Sequence, residues 1–187
     1  MLIMVTYTKE WYLVIDYKQF YREVKGQKTR IYCDMDGVLC DFMVQAKKAI
    51  GKTFTQENSA EHWKVISKTP KFWSDMPWMP GGKQLWNYIK QYNPHILSAY
   101  TIEDSNCIPG KKTWLRRNTN VSSSNVNLVR RKDKQRFAMK SGETKQPAIL
   151  IDDFQRNVDQ FKAAGGMGIM HTSASKTISE LKRLGFW

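Results

Sequence analysis

The 187-residue chain has little cysteine, little histidine and few acidic side chains. Its three cysteines, Cys33, Cys40 and Cys107, are an odd, sparse set with no CxxC spacing, which excludes a disulfide framework and fits a reducing, cytoplasmic compartment. The three histidines, His62, His95 and His171, stand far apart and match no ligand spacing, so no histidine-built metal centre is expected. Long apolar runs are missing. Stretches such as 2–5 and 148–151 are far too short to cross a bilayer, so no membrane span is expected. The start of the sequence lacks a basic region followed by a long apolar one, so no secretory leader is expected either. No internal repeat is visible. Asp and Glu number 17 against 30 Lys and Arg, a formal net charge of +13. Hydrophobic and aromatic residues, by contrast, make up 41% and 12% of the chain, which excludes disorder and suffices for one core with room for a small insertion.

The basic excess is uneven. Residues 111–145 hold eleven Lys and Arg against Asp133 and Glu143 alone. A solvated face would account for such a run, and so would a field that draws in phosphates or nucleic acid.

Residues 1–29 read as an N-terminal extension, with strand composition at 11–15, a short helical turn capped by Asp16 and a polar linker at 25–28. From residue 30 onward, short apolar runs alternate with helical patterns. Strands are expected at 30–34, 95–98, 126–129, 148–152 and 167–170. Helices are expected at 42–50, closed by Gly51, at 82–92, 111–117 and 154–164, and lastly around Ile178, Leu181 and Leu184, capped by Ser175 and stopped by Gly185. Residues 52–80, rich in Trp and Pro, read as short helices and loops, and 122–124 and 141–143 as loops. This alternation predicts an α/β fold, a parallel sheet with helices on both faces.

Two acidic clusters each come directly after an apolar strand: Asp34-Met35-Asp36-Gly37-Val38 and Asp152-Asp153. Ligands of an open parallel sheet bind outside the carboxyl ends of its strands, so both clusters are expected in one crevice. Like charges gathered there need a positive partner, and an all-oxygen donor set suits Mg2+.

The run IYCDMDGVLCDF, followed by ILS, a basic lysine segment and ILIDD, resembles the haloacid dehalogenase-like phosphatases, whose four motifs occur in this order. The likeness spans about residues 30–185. It implies a Rossmann-like domain over 30–187 with a small helical cap inserted at about 43–80. A closer likeness is to the 5'(3')-deoxyribonucleotidases, through DMDGVLxDF, an aromatic stretch leading to Pro80-Gly81, the Lys-x-x-Trp segment 111–114 and the triplet Lys132-Asp133-Lys134. The chain departs from that family at Ala99, where a second hydroxyl is usual, and in the wide gap between Lys134 and Asp152.

The resemblance implies Mg2+-dependent hydrolysis of (deoxy)nucleoside monophosphates through an aspartyl-phosphate. Asp34 is then the nucleophile and Asp36 the general acid and base. Mg2+ is held by Asp34, the Asp36 carbonyl and Asp152, with Asp153 acting through a water. Ser98 and Lys134 bind the phosphoryl group, with Lys111 or Lys112 as the alternative lysine and Lys132 as a further phosphate contact. Phe42 is placed beside the nucleophile, and Trp63, Phe72, Trp73, Trp78 and Trp86 lie farther along, in a stretch that either packs a core or brings rings over a base. Two alternatives stay open: a phosphatase of nucleic-acid ends that uses 111–145 to hold the polymer, and a non-catalytic nucleic-acid-binding scaffold. Nothing in the sequence sets an oligomeric state.

Overall fold

The computed structural model of the protein describes residues 29–55, 57–139 and 147–187. The expectations placed on 11–28 and on the 141–143 loop lie outside the described residues.

Five short apolar runs form strands: β1 (Ile31–Cys33), β2 (His95–Ala99), β3 (Val126–Val129), β4 (Ile149–Asp152) and β5 (Met167–Met170). They pair in parallel in the order β3-β2-β1-β4-β5. Successive side chains of a strand point to opposite faces, and the core divides accordingly. Ile31, Cys33, Ile96, Ile149, Ile151 and Ile169 enter the larger cluster, whereas Tyr32, Leu97 and Leu150 enter a smaller one with Ala138, Ala148 and Phe161. Both faces are therefore covered, and β1 and β4 read as continuous apolar runs for that reason. Each fully buried Ile or Leu contributes roughly 1.5–3 kcal/mol.

Between β1 and β2 lie α1 (Phe42–Ile50), α2 (Ser59–Lys68) and α3 (Gly82–Ile89). Asp41 caps α1 by accepting from the Val44 N–H at 2.9 Å, and Gly51 ends it in the left-handed region at φ 80°. Between β2 and β3 runs α4 (Cys107–Asn118); between β4 and β5, α5 (Gln155–Ala163); and α6 (Ala174–Arg183) closes the fold.

Among the boundaries that differ from the sequence expectation, the helix expected at 82–92 is α-helical over Gly82–Ile89 and continues as a 3-10 helix over Lys90–Tyr92. α4 begins at Cys107 rather than 111, because Pro109 sits in the first turn, where its missing N–H costs nothing. α6 is capped by Ser173, whose hydroxyl accepts from the Lys176 N–H, and not by Ser175. No helix among the described residues is long and apolar enough to cross a membrane.

The aromatic stretch packs in and against the larger core cluster. Phe42 lies 5.6 to 5.9 Å, centroid to centroid, from Phe54, Trp63, Phe72 and Trp73. Gln45 ties α1 to this group through the Phe72 carbonyl at 3.2 Å. Phe72 and Trp73 are buried, while Phe42 and Trp63 are half-buried. Trp78 packs on Trp114 at 4.8 Å and donates to Asn118, and Trp86 enters the same core as Phe72 and Trp73.

Candidate active site

The strand order reverses at β1, which has β2 on one side and β4 on the other. The carboxyl end of β1 is thus the crevice where such sheets bind ligands. Asp34 comes directly after β1 there, Ser98 stands near the end of β2, and Asp152 closes β4.

Two buried lysines organise this crevice. Lys134 comes from a 3-10 helix (Arg131–Phe137) and pairs with Asp34 Oδ2 at 2.8 Å and Asp152 Oδ2 at 2.7 Å. Lys111, on the inner face of α4, pairs with Asp36 Oδ2 at 2.6 Å and donates to the Ser98 hydroxyl at 3.1 Å and the Ala99 carbonyl at 2.7 Å. Lys134 and Lys111, both weighed for the basic residue, thus both enter the crevice, Lys134 at Asp34 and Asp152 and Lys111 at Asp36. The other described basic residues of the segment diverge from them: Lys112, Arg116, Arg117, Arg130, Arg131, Lys132 and Arg136 are exposed. Lys132, expected at the phosphate, stands on the outer side of the helix that turns Lys134 inward, and the bond it is seen to make is through its carbonyl, to Gln135.

Asp34 has a buried side chain that accepts from the Met35 N–H at 2.8 Å. Burial alone would raise its pKa, but the Lys134 and Lys111 ammoniums outweigh burial and hold the carboxyl below the usual carboxylate range. Asp34 is therefore ionised at neutral pH. Asp36 is the more open of the pair, with 30% of its side chain exposed, and the Cys40 thiol points to its Oδ1 at 3.6 Å. The Cys40 thiol itself is pushed well up by burial and the Asp36 charge, so it stays protonated.

Asp152 is held at both oxygens. Asn157 Nδ2 donates to each at 3.0 Å, and the Phe154 N–H donates to Oδ1 at 3.0 Å. Burial and the Asp34 charge nevertheless raise its pKa. Asn157 carries no mark in the sequence; its only signal is its place in the first turn of α5, one helical turn beyond the acidic pair.

Asp34, Asp152 and Asp153 each offer an oxygen, and the three atoms lie within 4.8 Å of one another. The Asp36 side chain is not in this group. Gly37 makes room for it: its φ is +74°, and a Cβ at that position would stand 2.0 Å from Asp153 Oδ2. Desolvation and the charges of Asp34 and Asp152 push Asp153 up to about 7. Three convergent carboxylates, one of them short of positive partners, fit a hard, oxygen-seeking divalent cation.

Stability should depend on pH for the same reason. Asp153 has a folded pKa above that of an unfolded carboxylate, so the folded state keeps a proton that the unfolded state releases between about pH 4 and 7. The metal-free protein is expected to lose stability as pH rises through this window. Asp153→Asn should remove that part of the slope, so that the variant gains in melting temperature over the parent from pH 4 to 7. Parallel melting curves for the two proteins across that range would show that Asp153 ionises normally.

No family profile and no curated protein matches the chain. Solved structures do. A candidate beta-phosphoglucomutase from Bacteroides vulgatus shares 16% identity at a TM-score of 0.53, over 90% of this chain and 96% of that one. A hydrolase from Streptococcus pneumoniae TIGR4 shares 12% identity at 0.49, over 83% and 100%. A haloacid dehalogenase-like family hydrolase from Streptococcus pneumoniae shares 11% at 0.41, over 75% and 82%. The fold is thus a Rossmann-like α/β fold, shared with the candidate beta-phosphoglucomutase.

Proposed function

We propose that the protein is a Mg2+-dependent phosphomonoesterase that hydrolyses (deoxy)nucleoside monophosphates through a phosphorylated Asp34. The observation that carries this is the division of labour between two carboxylates two residues apart. Asp34 is buried and kept ionised by Lys134 at 2.8 Å, whereas Asp36 is partly open and paired with Lys111 at 2.6 Å. A displacement at phosphorus needs an ionised nucleophile, a separate proton donor and cations against the phosphoryl oxygens.

The chain's own groups supply each of these. Asp34 Oδ attacks phosphorus while Asp36 protonates the departing ester oxygen. The oxygen of an incoming water then breaks the aspartyl-phosphate, and Asp36 takes its proton. Lys134 keeps Asp34 aligned and neutralises charge on the phosphoryl group. Lys111 positions Asp36 and the Ser98 hydroxyl, which donates to a phosphoryl oxygen. Asp34, Asp152 and the Asp36 carbonyl would hold Mg2+, with Asp153 acting through a water. A bound Mg2+ supplies further neutralisation of the phosphoryl oxygens and of the crowded carboxylates. The nucleoside part of the proposal rests on the half-buried Phe42 and Trp63, on the helices between β1 and β2, rings of the kind on which bases stack.

The test is release of inorganic phosphate from nucleoside monophosphates, sugar phosphates and end-phosphorylated oligonucleotides. Nucleotide turnover should vanish with EDTA and return with Mg2+. Faster release from sugar phosphates would move the substrate class, and oligonucleotide binding with no release from any substrate would favour a non-catalytic scaffold.

A further inference from the structure

Two arginines at the rim take no part in the chemistry above. Arg130 and Arg131 come directly after β3 and are exposed. The Arg130 guanidinium lies 6.0 Å from the centroid of the Tyr100 ring, and that of Arg131 lies 4.7 Å from the centroid of Phe154. Among the described residues neither guanidinium is paired with a carboxylate.

The strands that carry the site also place these rings. Tyr100 comes two residues after Ser98, and its N–H is bonded to the Val129 carbonyl at 3.0 Å. Phe154 comes two residues after Asp152 and donates its N–H to that carboxylate. Both pairs therefore stand at the catalytic end of the sheet, one on the β2–β3 side of Asp34 and one on the β4 side. Tyr100 and Arg130 open onto a cleft of about 550 Å³, lined also by Leu128, Val129, Arg136 and Phe137. Asp133 joins this lining, 3.8 Å from Arg136. β3 runs two strand spacings, about 10 Å, from β1, so the cleft lies beyond a phosphoryl group held at Asp34.

A mononucleotide has one base and one phosphate, and the Phe42 and Trp63 rings and the buried lysines already offer partners for both. The rim offers more of the same two chemistries. Guanidinium forks match phosphodiester oxygens, and aromatic faces stack bases whatever their identity. Stacking of this kind needs unpaired bases, so a single strand fits where a duplex does not. The net charge of +13 suits a polyanion.

We propose that the Tyr100–Arg130 cleft and the Arg131–Phe154 pair form a subsite for single-stranded nucleic acid, holding the nucleotides next to a terminal phosphomonoester that enters at Asp34. This deepens the phosphomonoesterase proposal and rests on it for the chemical step.

The experiment compares thymidine monophosphate with short oligodeoxythymidylates phosphorylated at either end, over a range of salt, for the parent protein and an Arg130→Ala/Arg131→Ala variant. For the better oligonucleotide, kcat/KM should fall about tenfold or more in the variant at low salt, and the salt slope by about 1–2. Mononucleotide turnover should change less than about twofold. An equal loss on both substrates, or no loss on the oligonucleotide, overturns the subsite. Binding of a labelled, unphosphorylated oligothymidylate, followed by fluorescence anisotropy, separates the two proposals. If no substrate releases phosphate, the phosphatase assignment fails, while weaker binding by the variant still supports the subsite and unchanged binding overturns it.

Discussion

The Asp34→Asn protein is expected to lose phosphate release from nucleoside monophosphates by at least about a thousandfold while keeping its fold. An amide oxygen is a poor nucleophile, and no other carboxylate is so placed. Asp36 is engaged with Lys111, and Asp152 is tied at both oxygens by Asn157. The fold should survive because the substitution is nearly isosteric and relieves repulsion. Burial and the Asp34 charge are what raise the Asp152 pKa, so losing that charge lets Asp152 ionise more readily. Lys134 keeps one partner at 2.7 Å. The melting temperature should fall somewhat all the same, since the folded state loses a carboxylate that Lys134 and Lys111 hold below the usual range. Turnover within tenfold of the parent, measured as phosphate release on pure protein, would falsify the role of Asp34.

Lys134→Met should have the largest effect on stability. Methionine replaces the aliphatic stem but leaves Asp34 and Asp152 buried with their main counter-charge gone. Removing one partner of such a buried set costs about 3–5 kcal/mol. For a domain of this size that is a fall in melting temperature of about 10 °C. The sign with pH is set by the carboxylates. Without Lys134 their folded pKa values rise above the unfolded ones, so the variant holds protons that the unfolded chain releases. Its deficit should be small near about pH 4 and grow as the pH rises towards about 8. A deficit that is flat with pH, read from melting curves, would mean that packing and not charge is what Lys134 supplies. Phosphate release should fall with the same substitution, since Asp34 loses its principal cation.

The two carboxylate clusters were legible because they sit directly after apolar runs too short to be anything but buried strands, and parallel strands carry the residues at their carboxyl ends to one edge of the sheet. The strand positions were legible for the same reason. Lys111 was harder to find. It is one lysine among eleven basic residues, and only the turn of α4 that buries it, beside exposed Lys112, separates the two. Lys132 and Lys134 differ in the same way. Single positions on a tight helix decide which side chain enters the crevice, and no residue type marks that choice. The shift of the α6 cap from Ser175 to Ser173 comes from two hydroxyls that are chemically equal in sequence. Trp78 and Trp86 are near Phe42 in the chain and share its core cluster, but Trp78 finds a different ring partner, Trp114. Asn157 gains its meaning only once Asp152 is placed above the start of α5.

The pairings that build the site join distant parts of the chain. Lys111 and Asp36 are 75 residues apart, and even the closer pair of Lys134 and Asp152 is separated by 18. Asp34 directly follows the central strand, and its neighbours arrive from strands on either side of it. No hairpin or local helix pair can assemble these groups early, because each requires a non-local parallel pairing that forms slowly. During refolding, then, helical signal and collapse should return before turnover does. On the proposed activity, catalysis would be a late clock: the first measurable phosphate release should mark the moment when β2 and β4 have both docked on β1.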